Sequence, residues 1–78
     1  MNVDIALFAS LSGYHTQPGK GHTRQYDLEP GTTISDVVAM FDLPDQPRII
    51  FVKGIHAEET AELHEDERLA IFPPVAGG

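Results

Sequence analysis

The sequence predicts a two-layer α+β domain in which one sheet is covered by one helix. Three observations lead to this fold class. The chain has 78 residues, which is room for a single domain. In segments near both ends, successive side chains fall alternately on the two faces that a strand would have. In one central segment, apolar residues recur at the spacing of a helix. Strands that flank a single helix in so short a chain must use that helix to bury the sheet.

The first third of the chain predicts two strands joined by a long loop. In residues 3–8 alternate side chains fall on opposite sides, with Val3, Ile5 and Leu7 on one side and Asp4, Ala6 and Phe8 on the other. This period of two predicts a strand. Residues 9–21 are rich in Gly, Ser, Thr, Gln and Pro, so we expect a loop there, and the most mobile part of the domain. Residues 22–28 predict a second, weaker strand.

The clearest element in the sequence is a short amphipathic helix. Four apolar residues recur at i, i+3, i+4 and i+7 and therefore share one helical face: Ile34, Val37, Val38 and Phe41. Thr33 is a good N-cap, and the carboxylate of Asp36 stands where it can accept hydrogen bonds from unpaired backbone amides. Since valine is a poor helix former, packing against a sheet must stabilise this helix.

Three segments of different character follow the helix. Residues 49–52 are four consecutive apolar residues, which predicts a strand covered on both faces. Residues 55–58 can form a short strand. Residues 60–67 are polar and acidic, with Leu63 as their one apolar anchor. Such an acidic run is typical of a solvated face rather than of an acid–base site.

Residues 68–72 alternate again and predict the last strand, with Leu69 and Ile71 facing the core. Phe8 and Phe72 have the opposite parity from the core residues of their own strands. Two interpretations stay open: the helix covers that face of the sheet, or the two rings belong to an exposed apolar patch that docks a partner.

Composition excludes several classes of function. The chain has no cysteine, which rules out a cysteine nucleophile, a thiolate zinc site and an iron–sulfur cluster, and favours a reducing compartment. The four histidines include no i, i+4 pair on a helix, so we expect no metal site. There is neither an apolar run of about 18 residues nor a basic and then apolar leader. We therefore expect a cytoplasmic protein that does not enter a membrane.

The balance of charge bears on the class of partner. The chain has 12 acidic and 5 basic residues, a net charge of −7. This argues against binding nucleic acid, whose phosphate backbone needs a clustered basic face. The acidity either steers a basic protein partner or only maintains solubility, and both interpretations stay open.

The most distinctive motif is the C-terminal run Phe72-Pro73-Pro74-Val75-Ala76-Gly77-Gly78. The prolines favour a stiff extended chain, and the six residues 73–78 can reach at most roughly 20 Å. Gly77 and Gly78 have no side chains, so a narrow channel in a partner could admit them. We therefore expect a folded domain of residues 1–72, followed by a flexible tail of residues 73–78 that presents the carboxylate of Gly78.

Residues 69–78 resemble the C-terminus of the small subunit of molybdopterin synthase, in a family related to the thiamine-pathway sulfur carrier and to ubiquitin-like modifiers. The resemblance extends in order over residues 7–11, 29–37 and 51–54. Two positions depart from the family pattern. Lys53 stands where the family usually has Asn, and residues 65–67 are Glu-Asp-Glu where it tends to have an acidic residue, Gly and Asp.

The resemblance implies a β-grasp fold with a mixed sheet, and a carrier with no bound cofactor and no catalytic site of its own. It implies that a ubiquitin-activating-type enzyme uses ATP to adenylate Gly78, that a thiocarboxylate forms there, and that a sulfur-accepting synthase subunit receives the sulfur. Gly77 would permit entry into the partner's channel. The implied partner-binding residues are Phe8, Phe72, Pro73, Pro74, Val75 and Ala76.

The leading hypothesis is therefore a sulfur carrier, with molybdenum cofactor biosynthesis as its destination. Three alternatives stay open: a paralogous carrier of the thiamine or another pathway, a ubiquitin-like modifier joined through Gly78 to lysines of targets, and a plain interaction module. The terminal Gly-Gly argues against the module. The sequence does not separate carrier from modifier, because both need the same activated glycine.

Overall fold

A computed structural model describes residues 1–74. Its elements are strand β1 (Asn2–Leu7), a 3₁₀ helix (Ala9–Tyr14), strand β2 (Thr23–Asp27), helix α1 (Ile34–Phe41) and strands β3 (Ile49–Val52), β4 (Ile55–His56) and β5 (Arg68–Phe72). The strands form one sheet in the order β2-β1-β5-β3-β4. β1 and β5 are parallel and the other neighbours are antiparallel. This mixed sheet with one α-helix in the described part confirms the predicted fold class. No helix within residues 1–74 is long and apolar enough to cross a membrane.

Helix α1 begins as its sequence predicts. The Thr33 hydroxyl accepts a hydrogen bond from the amide of Asp36 at 3.1 Å, and the Asp36 carboxylate accepts one from the amide of Thr33 at 2.9 Å. This reciprocal capping box satisfies two amides that would otherwise lack partners. The amide of Ile34 donates to the carbonyl of Ala61 at 3.0 Å, so the start of the helix is also joined to the segment before β5.

One face of the sheet packs against α1 and forms the core. Its fully or nearly fully buried residues include Val3, Ile5, Leu7, Tyr26, Ile34, Val37, Phe41, Ile50, Leu69 and Ile71. The inward parity predicted for β1 and β5 is therefore confirmed, and Leu63 is the buried anchor of its polar segment. Val38 was expected on the buried helical face, but it lies half-buried at the margin of the core.

Strand β3 is not covered on both faces, contrary to the prediction from its apolar run. Ile50 is buried, but Ile49 is 40% exposed and Phe51 is only half-buried. The reason is geometric. The single α-helix of the described part packs on one face, and residues of the other parity in β3 have no layer above them.

The loop predicted over residues 9–21 is more ordered than its composition suggested. Its first part is the 3₁₀ helix, and Leu11 in that helix is 1% exposed within the core. Burial of this leucine side chain offsets part of the conformational entropy that ordering the segment costs.

The acidic run also differs from the solvated face that was expected. Glu67 is buried, and its carboxylate accepts a hydrogen bond from the amide of His64 at 2.7 Å. The carboxylate of Glu65 accepts one from the amide of Asn2 at 2.6 Å. These carboxylates satisfy backbone amides where the last turn meets the start of β1, so two of the acids are structural.

The two departures from the family pattern occupy left-handed backbone positions. Lys53 has φ of 54° and Asp66 has φ of 65°. Asn and Gly, the residues of the family pattern there, tolerate this conformation better than most other residues. The chain therefore keeps both turns with residues that are less suited to them.

Candidate functional site

Three phenylalanines lie together on the face of the sheet opposite α1. Phe8 follows β1, Phe51 lies in β3 and Phe72 ends β5. The rings of Phe8 and Phe72 are stacked with centroids 4.4 Å apart and an interplanar angle of 4°. The ring of Phe51 meets Phe72 edge-on at 6.0 Å and 87°. All three are half-buried. We call these residues the aromatic face.

Strand register explains why the rings meet. β1 and β5 run parallel with Ala6 opposite Ala70, and antiparallel pairing sets Phe51 opposite Ala70 on the other side. Small residues next to large ones leave an open depression of about 360 Å³. Its lining consists of Phe8, Phe51, Gly54, Arg68, Ala70 and Phe72. A depression lined mainly by apolar side chains is suited to bind apolar side chains of another molecule.

The chain leaves the sheet at the edge of this same face. A second open depression of about 460 Å³ is lined by Phe8, Ala9, Ile49, Phe51, Phe72, Pro73 and Pro74. Of the residues proposed for partner binding, the structure thus brings together Phe8, Phe72, Pro73 and Pro74. Val75, Ala76, Gly77 and Gly78 lie outside the described residues. The predicted division into a domain of residues 1–72 and a tail of residues 73–78 therefore falls mostly outside them too. Of the two interpretations of Phe8 and Phe72, the geometry gives the uncovered face.

The loop of residues 15–22, which we call the rim loop, borders the aromatic face. The ring of His22 stacks on Phe8 with centroids 4.9 Å apart. The guanidinium of Arg24 donates to the carbonyls of Gly19 at 2.6 Å and Gly21 at 3.1 Å. The rim loop is therefore fixed by a side chain of β2 and extends the aromatic surface.

The hydroxyl of Tyr26 holds the start of the rim loop. Its oxygen accepts hydrogen bonds from the amides of Thr16 at 3.1 Å and Gln17 at 3.4 Å. The same oxygen lies 2.7 Å from Nδ1 of His15. Tyr26 is itself in the core, where its ring meets Phe41 edge-on at 5.2 Å. The rim loop is thus anchored directly to the buried layer.

His15 completes this network as a neutral ring. Its Nε2 lies 2.6 Å from the carbonyl oxygen of His22, which can only accept, so Nε2 carries the hydrogen. Nδ1 then accepts the hydroxyl hydrogen of Tyr26. Burial lowers the pKa of His15, the hydrogen bond to the His22 carbonyl acts in the opposite direction, and the positive charge of Arg24 lowers the pKa further. Burial, the largest of these causes, favours the neutral form, in which Nδ1 accepts from Tyr26.

With this geometry in place, the comparisons with known proteins identify the family. The model of the ThiS family matches residues 14–78, most of the chain. The chain belongs to the ThiS family. This family of ubiquitin-like sulfur carriers is among those that the C-terminal motif resembles. No match was found among functionally curated proteins.

Solved structures share the ubiquitin-like β-grasp fold of this ThiS-family chain. SAMP1 from Haloferax volcanii is 22% identical, each chain is covered completely, and the TM-score is 0.72. A Pyrococcus furiosus protein named molybdopterin converting factor subunit 1 is 18% identical over 95% of this chain and 98% of its own, with a TM-score of 0.70. A Caldiarchaeum subterraneum ubiquitin is 18% identical over 100% and 98%, with a TM-score of 0.60.

The described part of this ThiS-family chain presents an open apolar surface at the aromatic face. Within residues 1–74 no three His, Cys, Asp or Glu side chains are grouped so that they could hold a metal ion. Two of the histidines serve packing and hydrogen bonding instead. His15 joins Tyr26 to the rim loop, and His56 meets Phe51 edge-on at 6.0 Å.

Sequence reasoning missed part of the surface. Phe51 and Ile49 were assigned to a strand buried on both faces, whereas both line the depression at the tail. Their parity relative to Ile50 carried the signal, because Ile50 is the residue of the strand that faces the core. No short sequence pattern could have predicted the contact of His22 with Phe8, since it depends on how β1 and β2 pair.

Proposed function

We propose that this chain is the small subunit of molybdopterin synthase, a carrier on which the carboxylate of Gly78 holds sulfur as a thiocarboxylate. The observation that supports this most is the convergence of Phe8, Phe72, Pro73 and Pro74 at the root of the tail. A carrier needs a surface that binds a partner and a terminus that reaches beyond that surface. The aromatic face lies at the end of β5, from which the chain continues into residues 73–78.

The proposed chemistry uses a carboxylate that is unreactive by itself. An oxygen of the Gly78 carboxylate attacks the α-phosphorus of ATP, which the activating enzyme binds, and pyrophosphate leaves. The terminal sulfur of a donor persulfide then attacks the acyl-adenylate carbonyl, and AMP leaves. A thiol cleaves the resulting sulfur–sulfur bond, so a disulfide and the thiocarboxylate of Gly78 are the products. Persulfide and thiol both come from partners, since this chain has no cysteine.

The aromatic face supplies the binding energy for these encounters. During adenylation of Gly78 the aromatic face binds an apolar surface of the ubiquitin-activating-type enzyme. During sulfur delivery it binds the sulfur-accepting synthase subunit at the same place. Aromatic residues, phenylalanine among them, are enriched at protein interfaces, where a few anchors carry most of the binding free energy. Docking at Phe8 and Phe72 leaves the six residues 73–78 to span at most roughly 20 Å to a reaction centre.

ATP–pyrophosphate exchange tests the activation step. Purified chain and the ubiquitin-activating-type enzyme of the same organism are mixed with ATP and labelled pyrophosphate. We expect exchange with the full chain and none with a variant that lacks Gly77 and Gly78, whose melting temperature stays unchanged. Absence of exchange with the full chain would contradict the proposal. Conjugation of Gly78 to lysines of target proteins, without a thiocarboxylate, would identify a modifier instead.

A further inference from the structure

Charge is unevenly distributed along this acidic chain. Residues 5–26 contain no Asp or Glu, although the whole chain has 12 acidic residues. The same segment contains Lys20 and Arg24, two of the 5 basic residues. This is the longest stretch of the chain without a carboxylate; a shorter one, residues 46–57, contains Arg48 and Lys53.

The fold puts this stretch beside the root of the tail. β1 and β5 are parallel, with Leu7 opposite Ile71, so both strands end on the same side of the domain. β2 is antiparallel to β1 with Thr23 opposite Ala6, so the rim loop lies on that side too. The stack of His22 on Phe8 makes the rim loop and the aromatic face one continuous surface.

Side chains of β2 hold both ends of the rim loop. Tyr26 and His15 fix its beginning, and Arg24 fixes its end through two carbonyls. A Cβ at Gly19 would lie 2.5 Å from Nε of Arg24, so a larger residue there would displace this side chain. A surface fixed in this way loses little conformational entropy on binding.

Lys20 is the cation that the rim loop offers to a partner. Its side chain is exposed, and among the salt bridges of the described residues it has none. The other lysine differs, since the ammonium of Lys53 lies 3.8 Å from the carboxylate of Glu67. The guanidinium of Arg24 is occupied by the carbonyls of Gly19 and Gly21.

We propose that the rim loop is the charged half of the docking surface, and that it fits a protein partner with carboxylates beside the channel that receives the tail. The proposal rests on the proposed function and names the chemistry of its partner. The acidic remainder of the domain attracts a basic periphery at long range, while Lys20 favours the one orientation that sets Phe8 on the partner and the tail at its entrance. Charge complementarity of this kind governs orientation and encounter rate.

Two matched lysines provide the test. The Michaelis constant for the carrier is measured in ATP–pyrophosphate exchange with the purified ubiquitin-activating-type enzyme, at low and at high salt. We expect Lys20→Gln to raise it about threefold and Lys20→Glu about tenfold at low salt, with both effects shrinking at high salt as charges are screened. Lys53→Gln, which removes the same charge elsewhere, should change it less than about twofold. Lys20→Arg should keep the wild-type value.

The outcomes separate this inference from the proposed function. Active exchange with equal Michaelis constants for Lys20→Gln and Lys53→Gln would overturn the inference and leave the carrier function standing. A Lys20→Glu effect that does not change with salt, or a Lys20→Arg defect as large as that of Lys20→Gln, would also overturn it. No exchange with the wild-type chain would overturn the proposed function, and the inference with it.

Discussion

The two faces of the sheet differ although the same strands form both. On the face under α1, apolar residues are almost completely buried, as with Ile71 at 0% exposure. On the other face, Phe72 follows directly in the same strand but is only half-buried, stacked on Phe8 above open depressions. Apolar burial stabilises the first face. On the second, large apolar rings remain in contact with water, and contiguous exposed apolar patches are typical of interaction sites.

The largest difference between the faces is expected from Ile71→Ala. Ile71 packs within the core, and removing its methyl groups leaves a cavity that the sheet cannot close. We expect a loss of about 2–5 kcal/mol in the free energy of unfolding, measured by chemical denaturation. Phe72→Ala is the matched control and should cost less, because the half-buried ring of Phe72 leaves less of a cavity when it is removed. Equal losses would mean that the two faces are equally packed.

Phe72→Asp sharpens the same contrast in terms of binding. A carboxylate on the aromatic face should weaken affinity for the activating enzyme at least about tenfold, because it removes an aromatic anchor from the interface. The unfolding free energy should fall by less than it does for Ile71→Ala, because Phe72 is only half-buried. Isothermal titration beside denaturant melts separates the two effects. Unchanged affinity together with a large loss of stability would assign Phe72 to the core.

The sequence predicted what local patterns determine. The alternation around Ile5 and Leu69 identified the core face of two strands, and the Thr33 and Asp36 pair marked the start of the helix, because both signals lie within a few residues. The parallel pairing of β1 with β5 joins opposite ends of the chain and had no local signal. Phe51 was misassigned because four apolar residues fit equally a strand with two buried faces and one with a docking face.

The rim loop was missed for a related reason. Its composition predicted a loop but not the hydrogen bonds to it from Tyr26 and Arg24, which β2 places beside it. Glu67 was assigned to a solvated run for the same cause, since only the closed turn brings the amide of His64 to its carboxylate. Contacts between a loop and a neighbouring strand are tertiary contacts, and the amino-acid composition of the loop does not predict them.

Mild acid should loosen the rim-loop side of the domain through His15. The folded pKa of His15 is lowered, chiefly by burial, so the unfolded chain takes up the proton first as pH falls below about 6.5. The contribution of His15 to stability is full above that pH and is lost as pH falls through the folded pKa. In melts over that range, His15→Gln should show a weaker pH dependence than wild type. An identical dependence in both proteins would contradict the neutral network.

The smallest effect concerns a turn that belongs to neither face. Lys53→Asn should stabilise the domain by about 0.5 kcal/mol relative to Lys53→Ala, because Asn tolerates the left-handed φ of Lys53 better. Both variants lose the contact of Lys53 with Glu67, so that loss cancels in the comparison. Denaturant melts of the pair measure the difference. Greater stability of Lys53→Ala would show that the backbone conformation carries no cost there.

Intact-mass spectrometry of the protein from its native host tests the central claim most directly. A sulfur carrier should contain a species heavier by one exchange of oxygen for sulfur, and fragmentation should place that change in the peptide ending at Gly78. The species should vanish when Gly78 is deleted. An unmodified Gly78 under every sulfur-replete condition, or conjugates that leave a Gly-Gly remnant on lysines of other proteins, would contradict the account.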